Sequence, residues 1–155
     1  MTELPLPKGL TQLLASGVWP SATGPSLTKQ QLKPLVAPEL VRRFADDESL
    51  ICLCSPPFLT VAQCCAGGER DFWEGFGVPD QINPDLTLVI GDFGLGSDSP
   101  IILDYARDLS DPPVLRLRWN KPPSLRLPWK KFVRTEWVQG ARNFDEFAKM
   151  LGLDL

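Results

Sequence analysis

The chain of 155 residues contains no histidine. That absence removes the commonest general base, the usual proton acceptor for serine and cysteine nucleophiles, and the commonest metal ligand. Hydrolase and nucleotide signatures are missing as well: there is no G-x-S-x-G elbow, no Walker loop and no G-x-G-x-x-G opening a helix after a strand. Asp92-Phe93-Gly94 copies the kinase magnesium motif in letters only, because the chain is too short for a kinase and has no H-R-D loop. No apolar stretch approaches the roughly 20 residues of a membrane span, and Met1 to Leu10 lack the basic start and unbroken apolar run of a signal peptide. These absences lead us to expect a cytoplasmic, non-enzymatic protein that does not engage membranes.

Cysteines are few and oddly placed. They occur as two close pairs, Cys52 with Cys54 and Cys64 with Cys65, without the wide spacing of a secreted disulfide framework, so reduced thiols are expected. The set offers four thiolates to zinc in principle, but structural zinc sites usually pair cysteines across a knuckle of about two to four residues. The competing reading makes Cys52 and Cys54 small buried hydrophobes on one face of a strand. We expect no cofactor and no metal.

What is present is ordinary for a globular protein: 43% hydrophobic and 23% charged residues, in a chain long enough for one core, which we read as a single domain over residues 1–155. The net charge of −3 conceals an asymmetry. From Glu69 to Asp111 the acids Glu69, Asp71, Glu74, Asp80, Asp85, Asp92, Asp98, Asp104, Asp108 and Asp111 face only Arg70 and Arg107, whereas Val114 to Arg142 is strongly basic. Such a division steers charged partners, or it forms two solvated surfaces that neutralise each other in the fold.

Sixteen prolines and twelve glycines predict short elements and many connections. Leu10, Leu13 and Leu14 fall at helical spacing between Pro7 and Gly17, and Leu40, Val41 and Phe44 do so from Pro38 to Ala45. Leu50–Cys54 and Phe58–Val61 read as strands, and Ala62–Phe76 is ambiguous. Leu86–Ile90 and Ile101–Tyr105 read as an antiparallel pair around a glycine-rich connection. Leu115, Leu117 and Trp119 alternate with Arg116 and Arg118, and Leu125, Leu127 and Trp129 form a similar run, which suggests a hairpin with one apolar and one basic face. A strand over Phe132–Val138 and a final helix capped by Asn143, with Phe144, Phe147, Ala148 and Leu151 on one side, complete an α+β domain: a mixed, mainly antiparallel sheet flanked by helices.

Two further chemistries deserve weighing. Asp92, Asp98 and Asp104 would serve a hard cation if the loop folded back, but their spacing matches no calcium loop, and bonding of Asp92 and Asp98 to nearby backbone amides is the simpler expectation. The basic hairpin suggests nucleic acid, yet its tryptophans fall on the apolar face and the chain is acidic overall, so no nucleic-acid partner is expected.

The run from Leu88 to Tyr105, centred on Gly91-Asp92-Phe93-Gly94-Leu95-Gly96, resembles the central strand-loop-strand signature of the SUKH superfamily, the group of the fungal Knr cell-wall regulator and many bacterial immunity proteins. Asn143-Phe144-Asp145-Glu146-Phe147 through Leu153 is similar to that family's closing helix, and Ser55-Pro56-Pro57-Phe58 and Asp71-Phe72-Trp73 look like pieces of bacterial members. The resemblance implies an α+β fold with a mixed sheet, no catalytic motif, and a protein partner, typically a cognate toxin domain that is often a nuclease. The acidic segment would cover the toxin's basic surface, with Trp73 or Phe76 as anchors and Glu74, Asp92 and Asp98 as charged contacts. The alternative within the family is a regulatory scaffold or small-ligand-binding protein without a toxin partner.

Overall fold

The computed structural model describes residues 4–21, 36–68, 70–75, 77, 79–93, 99–120 and 134–153. The N-terminal helix α1 (Lys8–Ser16) buries Leu10 and Leu13 and ends at Gly17, whose φ of 80° is the left-handed conformation that glycine adopts without a Cβ penalty. Helix α2 (Pro38–Phe44) carries proline in its first turn, where the missing N–H costs nothing, and Arg42 and Arg43 in its last, where they complement the carbonyl end of the dipole.

Strand β1 (Ile51–Leu53) follows. The expected strand over Phe58–Val61 is reduced to a single bridge between Thr60 and Leu88. Thr60 instead caps helix α3 (Val61–Ala66): its hydroxyl accepts the Gln63 N–H at 3.1 Å while the Gln63 side chain accepts the Thr60 N–H at 2.9 Å. That reciprocal pair satisfies two amides a helix start otherwise leaves open. The ambiguous stretch thus becomes α3 and a second short helix, α4 (Arg70–Gly75), before 3-10 turns at Pro79–Gln81 and Pro84–Leu86.

The remaining strands are β2 (Thr87–Phe93), β3 (Pro100–Asp104), β4 (Val114–Asn120) and β5 (Arg134–Ala141). The sheet runs β1-β2-β3-β4-β5, and each of these pairings is antiparallel, so the expected mixed sheet is replaced by a meander among the described strands. The pairing of β2 with β3 is the one expected. Leu125–Trp129, the expected hairpin partner of β4, lies outside the described residues; β4 pairs with β5, from Val114 opposite Ala141 to Asn120 opposite Arg134. Helix α5 (Phe144–Met150) closes the fold, with the Asn143 side chain accepting the Glu146 N–H at 2.9 Å and Gly152 at φ 71° ending the run.

Both faces of the sheet are covered. Leu88, Leu103, Val114 and Ala141 form a cross-strand row on one face and pack with α1, α2, α5 and the buried Trp19. Val89, Ile102 and Leu115 form a row on the other face beneath Val61, Cys64 and Trp73 of α3 and α4. This explains why β3 is buried along its whole length. It also overturns the expected basic face of β4: Arg118 is exposed, but Arg116 points into the larger layer, with its side chain only 5% exposed. There its guanidinium pairs with Asp47 at 2.7 Å and lies 5.8 Å from the Phe93 ring centroid.

Candidate partner-binding surface

The smaller layer presents the site-bearing side chains. Trp73, on α4, turns inward and is 1% exposed, so it has no surface to present to a partner. Its ring stacks on Trp137 of β5 with centroids 6.0 Å apart and planes within 12°, and the Trp137 indole donates to the Gly77 carbonyl at 2.8 Å. Gly77 is required there by space: a Cβ would sit 2.3 Å from the Trp73 ring. Gln81 adds a contact from the same layer, accepting the Trp137 N–H at 3.3 Å. The expected anchor is therefore the element that fixes α4 to the sheet.

With Trp73 pointing inward, Asp71 and Glu74 are left exposed on α4, as are Asp80 and Asp85 on the two 3-10 turns. Glu74 holds Arg70 at 2.8 Å. Phe76 and Asp98, the other expected contacts, lie outside the described residues.

Asp92 sits half-buried in β2 at the other end of that strand from Asp85 and accepts the Ser99 N–H at 3.1 Å, which is the local amide bond expected of it. Asp104 is buried, accepts the Ala106 N–H and pairs with Arg107 at 3.3 Å. Asp92 lies opposite Pro100, and Asp104, next to Tyr105, lies opposite Thr87. At the rise of a strand Asp92 and Asp104 are roughly 13 Å apart, so those two carboxylates do not converge on one cation. Among the described residues no three histidine, cysteine or carboxylate side chains are grouped to hold a metal ion. None of the four cysteines is joined in a disulfide. Burial, reinforced by Asp92, pushes the Cys52 thiol up; burial and Glu74 raise Cys65 against the opposing pull of Arg70, so both are held in the protonated, less reactive form.

Beside the acidic turns runs a groove of about 1050 Å³ that the sequence reading missed. Leu4 and Leu6 line it, together with Ala62 and Ala66 of α3 and with Leu86 and Leu88. Phe58 and Leu59 complete it, and Asp85 is its one charged side chain among the described residues. The available signal was Leu6 between two prolines and Leu59 after Pro56-Pro57: apolar residues in segments that join neither helix nor sheet. No helix among the described residues is long and apolar enough to cross a membrane. Compared with family models, curated proteins and solved structures, the chain finds no match.

Proposed function

We propose that the chain is a non-enzymatic, SUKH-type protein-binding domain that acts as an immunity protein, neutralising a cognate bacterial toxin by covering its basic surface; a nuclease is the favoured toxin class. The observation that carries this reading is the set of exposed carboxylates Asp71 and Glu74 on α4, whose inner side is held by Trp73 stacked on Trp137, with Asp80 and Asp85 exposed on the two 3-10 turns that follow. Charge that is predominantly of one sign, here four carboxylates with Arg70 paired to Glu74, speeds encounter with an oppositely charged partner and rejects others.

The test is capture from the host lysate and secretome with the full chain as bait, followed by growth rescue against the best candidate. A toxin domain bound and neutralised stoichiometrically is the expected result, and Glu74→Lys with Asp80→Lys should slow its association and flatten the salt dependence. Unchanged association kinetics in that double variant would remove the acidic surface from the mechanism. Recovery of envelope-regulating proteins alone would favour a regulatory scaffold.

A further inference from the structure

We infer that the groove between the N-terminal segment and α3 is the seat for a segment of a protein partner that carries apolar side chains next to lysine or arginine. This rests on the reading of the chain as a protein-binding domain and specifies what that partner presents. Three large apolar side chains stay exposed among the described residues: Leu6 at 38%, Leu59 at 46% and Leu109 at 59%. Two of them, Leu6 and Leu59, line this one groove, so the exposure is concentrated where surface apolar residues are ordinarily scattered.

The wall bearing Leu6 is built into the fold. The Tyr105 hydroxyl, at the end of β3, donates to the Pro5 carbonyl at 2.6 Å, and Leu4 and Leu6 flank that tether on either side. The lining residues Ala62, Gln63 and Ala66 belong to α3, whose start is fixed by the Thr60–Gln63 capping pair. A site held from both sides loses less freedom on binding than a loose flap would.

Shape and charge select the occupant. Leu6, Leu59, Ala66 and Asp85 are all exposed on its walls, so a small molecule would leave more of its surface in water than enclosed ligand sites allow. A peptide segment laid along the groove buries one face and keeps the other solvated. Asp85 lines the groove, and no cationic side chain lines it among the described residues; its carboxylate favours a basic flank and repels an acidic one.

The experiment selects short random peptides displayed on phage against the full chain, then measures the winners by fluorescence polarisation and maps them by amide chemical shifts. Enriched peptides should join bulky apolar residues to lysine or arginine and shift resonances of Leu6, Leu59 and Ala66. Leu59→Asp and Ala66→Glu, both at exposed positions, should each weaken them about tenfold or more, as loss of an anchor pocket does. Asp85→Lys should weaken them about threefold at low salt, an effect that fades as salt screens it. An unchanged melting midpoint in each variant certifies the fold.

Peptides that bind Leu59→Asp as well as the original chain, or that lack basic residues, overturn the inference. So does absence of enrichment, or a dimer of this chain that Leu59→Asp dissolves. A captured toxin that Leu59→Asp neutralises as fully as the original chain sinks the groove and leaves the immunity reading standing. Basic apolar peptides seated in the groove without any neutralised toxin do the reverse.

Discussion

Removing Asp47 should cost far more stability than removing the arginine it holds. Arg116 is 5% exposed, its Nη2 pairs with Asp47 at 2.7 Å, and its Nη1 is buried with no hydrogen-bond partner among the described residues. Asp47→Ala leaves a guanidinium charge in the larger layer beside the Phe93 ring without its carboxylate partner. Breaking a fully buried pair costs about 3–5 kcal/mol. Because Asp47 is 39% exposed, water reaches one side of the pair, and we expect about 2–3 kcal/mol instead. Arg116→Met keeps most of the volume, discards the ion pair and also removes the orphaned donor, so it should fall within about 1 kcal/mol of the original chain. The double variant should resemble Arg116→Met, giving a coupling energy near 2 kcal/mol by the cycle. With a urea slope of about 2 kcal/mol per molar, Asp47→Ala alone lowers the unfolding midpoint by on the order of 1 M. Urea melts followed by tryptophan fluorescence measure all three. A loss under about 0.5 kcal/mol for Asp47→Ala, or a larger loss for Arg116→Met than for Asp47→Ala, would refute the argument that an uncompensated buried charge dominates here.

Three other perturbations have definite signs. Gly140→Ala places a Cβ 2.3 Å from the Phe44 ring, which is already wedged against Phe93 and Phe147, and should destabilise by about 1–3 kcal/mol in the same urea assay. Asn143→Ala removes the α5 cap and its bond to Asp111; a loss of about 1 kcal/mol, or roughly 2–4 °C in Tm, is expected by calorimetry. Burial pushes the Tyr105 hydroxyl up from its usual value near 10 to about 12. Between those two values the native state retains a proton that the unfolded state has released, so stability falls as pH rises through that window. Tyr105→Phe should show a shallower fall there, read as the difference between the two pH-stability curves; parallel curves would contradict it.

Elements whose ends are marked by local chemistry were legible in the sequence. Gly17 and Gly152 after helical patterns, Pro38 at a first turn and Asn143 before an apolar helix face each specify a boundary through their own backbone geometry or side chain. The Phe58–Val61 run reads as a strand because a short apolar stretch has no period that separates strand from helix, while the Thr60–Gln63 pair that decides it hides in ordinary polar letters. The partner of β4 depends on pairing across a long connection, where alternation in either strand says nothing about which one it meets. Alternation with Leu115 and Leu117 predicts Arg116 on a solvent face, by a rule that assumes one wet face. Helices on both faces of the sheet removed that assumption, and Asp47, just beyond α2, supplied the charge partner.

The same two-sided covering divides the labour between the layers. On the larger face, α1, α2 and α5 spend their apolar sides in one continuous core with Trp19, Phe44, Phe93, Phe144 and Phe147, so changes there are paid in stability. On the smaller face, α3 and α4 are too short to be stable by themselves and depend on inward contacts such as Trp73 on Trp137. Their outward side chains, Asp71 and Glu74 on α4 and Ala66 on α3, are exposed and add little to that packing. Replacing them should therefore alter partner binding with the melting midpoint nearly fixed, whereas Trp73→Ala should lower the midpoint and binding together. A loss of stability from Glu74→Lys matching that from Trp73→Ala would mean that the outer face helps to hold the layer, and the separation between scaffold and surface would fail.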